Sequence, residues 1–197
     1  MRTTRLPGML SLWLAACLLA IAAGARAQGA PAGAEAHFLT LAAAPLPEGT
    51  EGNGSVQFIG NATVLIRYQG ITILTDPNFL HKGGQVNLGF GLRATRLTNP
   101  ALEPRQLPPV DLVLLSHLHE DHFDREAEQW LDPNTPIATT PEAAARLGRK
   151  GFRKCIGLGT WETLEVQKGA ARLAITALPA RHGPPGLATL LAPVMGS

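Results

Sequence analysis

Through the middle of this chain the apolar residues come in short runs broken by Gly, Asn, Asp and Pro, a pattern of strands and turns rather than of long amphipathic helices. Val56 with Phe58, Thr63-Val64-Leu65-Ile66 and Ile71-Thr72-Ile73-Leu74 are three such runs, separated by Gly60-Asn61 and Gln69-Gly70. They predict three short strands in hairpin succession, because Gly and Asn enter tight turns at little steric cost. Asn61-Ala62-Thr63 is formally a glycosylation sequon and reads as the residue of a turn before a strand. After Thr75-Asp76-Pro77 the pattern dissolves through Gly83-Gly84, Gly89, Gly91 and the prolines at 100, 104, 108 and 109, which predicts a long loop. Phe79, Leu80, Phe90 and Leu92 within it suit either a substrate pocket or packing against the sheet. Asp111-Leu112-Val113-Leu114-Leu115 then has the continuous apolar character of a strand buried on both faces.

Helical signals begin only beyond that strand. Asp124 can cap a helix from Arg125 to Leu131 with Glu126 in its first turn, stopped by Asp132-Pro133. Ile137-Ala138-Thr139 predicts another strand. Thr140 as N-cap, Pro141 at the first helical position, Ala143 to Leu147 as body and Gly148 as terminator predict a second helix. Thr163 to Val166 and Arg172 to Leu178 read as strands, the latter delivering the chain to Pro179-Ala180-Arg181-His182-Gly183. Upstream, residues 28–54 are rich in Gly, Ala and Pro, with little periodicity beyond Phe38, Leu39 and Leu41. They read as a linker, with the ordered domain, 55–197, starting near Ser55.

The N-terminus follows a different logic. Arg2 and Arg5 precede the apolar stretch Met9 to Ala23, and Ala25-Arg26-Ala27 supplies an Ala-x-Ala site, the order expected of a secretory signal over 1–27. Leu14-Ala15-Ala16-Cys17 also has the form of a lipobox, but the apolar segment continues past it. Export to the periplasm or medium is the expectation, with no membrane span left after cleavage.

Removing 1–27 takes away three arginines and leaves 14 basic against 15 acidic side chains, so the basic balance of the whole chain, +2, belongs to the signal. A near-neutral remainder has no general electrostatic reason to bind nucleic acid. Arg146, Arg149, Lys150, Arg153 and Lys154 form one basic cluster, read as a solvated helix end and loop. Cys155 alone would remain of the two cysteines, so no internal disulfide is expected, and it reads as a small buried hydrophobe rather than a nucleophile.

Chemistry is concentrated in His117-Leu118-His119-Glu120-Asp121-His122, directly after the strand that ends at Leu115. Neutral imidazole with carboxylate suits zinc and similar divalent metals, and a set without thiolate keeps a position open for water. At a strand end His117 and His119 can point to one side, with Asp121 and His122 following on a tightening turn. That arrangement suits two metals, one held by His117, His119 and a more distant His, the other by Asp121 and His122. The shared water, acidified from a pKa of about 15.7 toward ~7, could attack a carbonyl or phosphoryl centre. Glu120, His37 and His81 read as solvated.

With Thr75-Asp76-Pro77 upstream and His182 isolated downstream, this cluster resembles the metallo-β-lactamase superfamily from Ser55 onward. Gly60 to Ile66, Ile73 to Pro77 and Ser116 to Asp124 resemble the branch that contains ascorbate-6-phosphate lactonase and N-acyl phosphatidylethanolamine phospholipase D. The resemblance implies an α+β fold, the αββα sandwich. It implies His117, His119 and His182 on one metal and Asp121 and His122 on the other, with Asp76 behind the ligands. Zinc is the expected metal, two ions, with manganese or iron as alternatives. The branch usually has His where Asn61 stands.

The family's second half supplies a bridging carboxylate from a Gly-Asp segment and a final His, and Ser197 precedes both. An N-terminal part only of the sandwich is therefore expected, with self-association through an exposed sheet edge. The function expected is hydrolysis of an ester, lactone, amide or phosphodiester in a small-molecule or lipid substrate by a metal-activated water, with Asp121 catalytic in orienting that water. The alternative is a non-catalytic metal-binding remnant. A nuclease would need a basic substrate channel that the composition does not offer.

Overall fold

A computed structural model describes residues 35–43, 54–89 and 92–180. Its largest sheet has six strands. β2 (Ser55–Gly60), β3 (Thr63–Tyr68) and β4 (Ile71–Thr75) form the antiparallel meander expected from the two turns. Asn61 and Gln69 adopt φ of 55° and 47°, the left-handed conformation that short polar turn residues tolerate. β7 (Leu112–Leu114), β8 (Ile137–Thr139) and β9 (Cys155–Gly157) then continue the sheet in parallel, in the order β2-β3-β4-β7-β8-β9.

The continuous apolar runs have a direct explanation, because neighbouring residues on the central strands serve two different cores. Leu65, Leu74, Val113 and Ile137 face one cluster with Phe123, Ala127, Leu131 and Leu147 of the helical side. Ile66, Ile73, Leu112 and Ala138, each adjacent in sequence to one of those, face a second cluster with Leu164, Val166 and Leu173. The latter three belong to a three-stranded sheet of β1 (Ala36–Leu41), β10 (Thr163–Lys168) and β11 (Ala171–Thr176), ordered β1-β10-β11. Helices, large sheet and small sheet therefore stack as three layers, the first part of an αββα sandwich. Each wholly buried Leu or Ile on these strands contributes about 1.5–3 kcal/mol.

Polar ties reinforce the sheet-to-sheet contact. Asp111 Oδ2 accepts from Thr72 N at 2.9 Å and from Lys168 Nζ at 2.6 Å, and the same ammonium donates to the Gly70 carbonyl at 2.8 Å. Both side chains are largely shielded, so the pair couples β10 to the start of β4 and the entry of β7.

Both expected helices form. α1 (Arg125–Trp130) is capped by Asp124, whose side chain accepts from Ala127 N. α2 (Pro141–Arg149) is capped by Thr140, whose hydroxyl accepts from Ala143 N. Gly148 lies inside α2 rather than ending it; the chain turns at Gly151, which takes φ of 103°.

Three further departures share one cause, tertiary pairing of segments whose own pattern is weak. Ala36–Leu41, within the stretch read as a linker, is β1 and pairs in parallel with β10. The long loop after Asp76 holds a hairpin, β5 (Gln85–Gly89) with β6 (Leu92–Thr95), and a 3-10 turn at Pro104–Gln106. Cys155–Gly157, three residues of little amphipathic signal, form the edge strand β9. Phe79 is wholly buried and meets Trp130 edge-on at 5.8 Å, which makes it core rather than pocket lining. Phe90 lies outside the described residues. Among the described residues no helix is long and apolar enough to cross a membrane.

Candidate metal centre

The cluster leaves the carboxyl end of β7, in the centre of the large sheet, and two neighbouring segments lock it there. Asp76 follows β4, which is paired in parallel with β7, so the two strand ends meet. Held at φ 36°, Asp76 donates its N–H to the Leu114 carbonyl at 2.9 Å and accepts from Ser116 N at 2.7 Å through Oδ1. Its Oδ2 lies 3.1 Å from His122 Nδ1. Thr63 Oγ1 donates to the Asp76 carbonyl at 2.7 Å and accepts from Asn78 N at 3.0 Å, so a buried hydroxyl on β3 shapes the turn that aims this carboxylate.

A second clasp closes the far end of the motif. Asn78 is buried and donates through Nδ2 to the Glu120 carbonyl at 2.9 Å. Asp124 accepts from Phe79 N at 2.6 Å as well as capping α1. Asn61 Nδ2 donates to the Asp121 carbonyl. The loop 116–124 is thus held at both ends by the segment 76–79 and in its middle by the β2–β3 turn. Asn78, Thr63 and Ser116 escaped the sequence reading. Asn78 stands two residues after Asp76 in the same polar turn, and Thr63 and Ser116 carry no signal that separates them from ordinary strand-end residues.

Within this frame the His117 and His119 rings meet edge-on at 4.6 Å, and His117 and His122 lie 4.1 Å apart. One donor atom from each of His117, His119 and Asp121 falls within 4.8 Å of the others. His122 Nε2 stands 3.6 Å from Asp121 Oδ2. Four of the predicted residues and Asp76 are therefore together, whereas His182 lies outside the described residues.

The electrostatics suit a cation. Burial by itself would lower the His122 pKa, but its hydrogen bond to Asp76 and the charges of Asp76 and Asp121 outweigh that and hold it above 6.5. Ser116 Oγ sits 3.2 Å from the same Nδ1 and 3.1 Å from His117 Nδ1. With Nδ1–H given to the Asp76 carboxylate, His122 keeps its Nε2 lone pair on the Asp121 side, the pattern by which carboxylates orient metal-binding imidazoles. Among the described residues no hydrogen-bond donor reaches the buried Asp121 Oδ1. A buried carboxylate oxygen without a donor, beside convergent imidazoles, fits a divalent cation. A shallow, open depression adjoins His117 and His119 and is bordered by Thr140 and Glu142 from the start of α2 and by Arg146 from its last turn.

Glu120 is exposed as expected, yet its Oε2 accepts from Asn87 N at 2.8 Å, tethering the β5–β6 hairpin to the motif. His37, read as solvated, is half-buried and lies 3.0 Å from Glu162, whereas His81 is exposed as expected and lies 3.1 Å from Glu103. Cys155 is half-buried, and desolvation raises its thiol pKa, which disfavours the thiolate.

Comparison with known proteins assigns this layered fold, with its histidine–carboxylate cluster at the end of a central strand, to a family. The family model described as "Beta-lactamase superfamily domain" matches residues 72–195. The chain belongs to this metallo-β-lactamase superfamily. It is 31% identical over 131 residues to the mitochondrial N-acyl-phosphatidylethanolamine-hydrolyzing phospholipase D of Saccharomyces cerevisiae, a match over 64% of this chain and 26% of that protein. To the N-acyl-phosphatidylethanolamine-hydrolyzing phospholipase D 1 of Caenorhabditis elegans it is 28% identical, over 64% of this chain and 36% of the relative. The chain thus spans well under half the length of these relatives.

Among solved structures, an isothiocyanate hydrolase from Delia radicum gut bacteria superposes with TM-score 0.58 at 27% identity, over 72% of this chain and 54% of the other. A possible metal-dependent hydrolase from Veillonella parvula gives TM-score 0.59 at 21% identity, over 72% and 55%, and supports the fold alone.

Proposed function

We propose that this chain is a metal-dependent hydrolase that acts on a phosphodiester, ester, lactone or amide, with His117, His119, His182, Asp121 and His122 as metal ligands. The observation that carries this reading is the convergence of His117, His119 and Asp121 donor atoms within 4.8 Å, beside a His122 already oriented by Asp76. Similarity to two phospholipases D that hydrolyse N-acyl-phosphatidylethanolamine favours a lipid phosphodiester among the candidate substrates. Zinc is the first metal proposed, two ions, with manganese or iron served by the same donor set. Bound there, such an ion would supply Lewis acidity and an acidified water.

The protein's own groups have separable tasks in that reaction. Asp76 fixes the His122 ring and, through Ser116 N, the point where the chain leaves β7. Asp121 takes the orienting role toward the attacking water, as the carboxylate that shares the cluster with His117 and His119 among the described residues. The depression next to His117 and His119 receives the substrate, with Arg146 and Thr140 on its border.

Metal analysis of the purified chain, followed by assays on a phosphodiester, an ester, a lactone and an amide, tests the reading. About two equivalents with turnover, and a loss of about 10²–10⁴-fold in Asp121→Ala, is the expected outcome. One equivalent or none, without turnover on any of the four, assigns the chain to the non-catalytic metal-binding remnants instead.

Export through residues 1–27 and self-association belong to the same proposal. β2 is an edge strand of the large sheet and leaves Val56 and Phe58 71% and 64% exposed, which supports pairing with another copy. Mass analysis of the exported protein is expected to give an N-terminus at Gln28, and size-exclusion chromatography a species larger than the monomer.

A further inference from the structure

Beside the motif stands a cation, two of whose shielded nitrogens meet no hydrogen-bond acceptor among the described residues. Arg96 follows β6 at the base of the β5–β6 hairpin, and its backbone is pinned on both sides: N–H to the Gly84 carbonyl at 2.8 Å, carbonyl from Gly83 N at 2.9 Å. Its side chain is half-buried and lies against the β2–β3 turn, so close that a Cβ on Gly60 would stand 2.6 Å from Nη2. Nε and Nη2 are both shielded from solvent and meet no hydrogen-bond acceptor among the described residues.

That arrangement is costly unless something outside it is bound. A guanidinium shielded from water keeps its charge at any ordinary pH, so it cannot escape the cost by losing a proton. Its donors form a planar fork that matches two oxygens of a phosphate or carboxylate. Gly60 leaves room for Nη2 where a Cβ would stand, and a larger residue there would displace the guanidinium.

The position is next to the candidate metal centre. Gly60 adjoins Asn61, whose side chain reaches the Asp121 carbonyl, and the hairpin that presents Arg96 is tied to Glu120 through Asn87. We infer that Arg96 is an anion-recognition residue, its guanidinium receiving an oxyanion of the substrate, a phosphodiester or carboxylate group, beside the hydrolytic site. This rests on the hydrolase reading for the word substrate, but the anion site itself does not need metal or turnover.

The test therefore uses the full chain treated with EDTA, in buffer free of phosphate, with thermal midpoints followed against dimethyl phosphate and, separately, inorganic phosphate. Dimethyl phosphate is expected to raise the midpoint of the unsubstituted chain, with an apparent affinity about tenfold weaker in Arg96→Met. Arg96→Lys, which keeps the charge and loses the fork, should fall between the two. Without added anion Arg96→Met should melt no lower than the parent, since it replaces an unpaired shielded charge with apolar atoms of similar length.

Equal protection of parent and Arg96→Met overturns the inference. So does a markedly lower midpoint of Arg96→Met without anion, because the guanidinium would then already be satisfied by the protein. Protection by inorganic phosphate alone makes this a site for the free ion and overturns the substrate assignment. None of these outcomes depends on whether the loaded enzyme hydrolyses anything.

Discussion

His122 and His37 each meet a carboxylate at nearly the same distance, 3.1 Å to Asp76 and 3.0 Å to Glu162, in very different surroundings. Asp76 is 8% exposed and also receives Ser116 N and positions the end of β7, so its contact with His122 is one part of a closed network. Glu162 is more open; it receives Gly159 N at 2.8 Å, and its contact with His37 ties β1 to the start of β10. Shielding and the number of fixed partners, rather than distance, separate a pair that organises a site from one that trims a sheet edge.

The largest effect is expected from breaking the shielded pair. Asp76→Ala leaves Ser116 N and the His122 ring without their acceptor, which should cost about 3 kcal/mol of stability by urea unfolding. Metal affinity, measured by competition with a chelator, should fall about 10–100-fold, since the ring loses its orienting carboxylate. An Asp76→Ala protein that binds metal as the parent does would remove the distinction drawn between the two pairs.

Next in size is the tie between the sheets. Lys168→Met keeps the stem and removes the ammonium from Asp111 and the Gly70 carbonyl, with an expected cost of about 2 kcal/mol after allowing for partial exposure. Because Asp111 and Lys168 lie away from the histidine cluster, metal content should stay unchanged. A drop in metal content would show that the second sheet supports the site as strongly as Asp76 does.

The two pairs should also titrate in opposite windows. In the EDTA-treated chain the His122 pKa lies above 6.5, so its stabilising contribution is complete below 6.5 and is lost as pH rises through the folded value. By NMR its midpoint should fall in Asp76→Asn, where burial, which lowers it, faces less opposition. Glu162 titrates below 4.5 because Gly159 N and then His37 hydrogen-bond to its carboxylate. Its contribution is present above 4.5 and disappears as pH falls through the folded value. The difference in urea midpoint between parent and Glu162→Gln should accordingly be small at neutral pH and vanish in acid. A Glu162→Gln effect as large as that of Asp76→Ala would refute the ranking by shielding.

The same contrast explains which parts of the molecule were legible in the sequence. The meander β2–β4, the buried β7 and the caps Asp124 and Thr140 were readable because local pattern and turn chemistry agree with the fold at those points. The histidine–carboxylate cluster was readable because it is confined to six consecutive residues. β1 was not: Phe38 is 79% exposed, its neighbours are half-buried, and the strand exists by pairing with β10, more than a hundred residues away. β5, β6 and β9 are similarly short and take their definition from a partner strand or a packed helix.

The sequence by itself determined the strand-and-turn character of the chain, the two helix starts and the histidine–carboxylate cluster at 117–122. Each of those depends on residues close together along the chain. Only the tertiary structure decided that β4 and β7 lie side by side, so that Asp76 reaches His122 and Ser116 across forty residues. It also decided that Asn78 and Asn61 clasp the loop and that Arg96 lies against Gly60 with Nε and Nη2 unmet among the described residues. The physical reason is that orientation and desolvation, which turn a donor set into a site, are properties of neighbours in space.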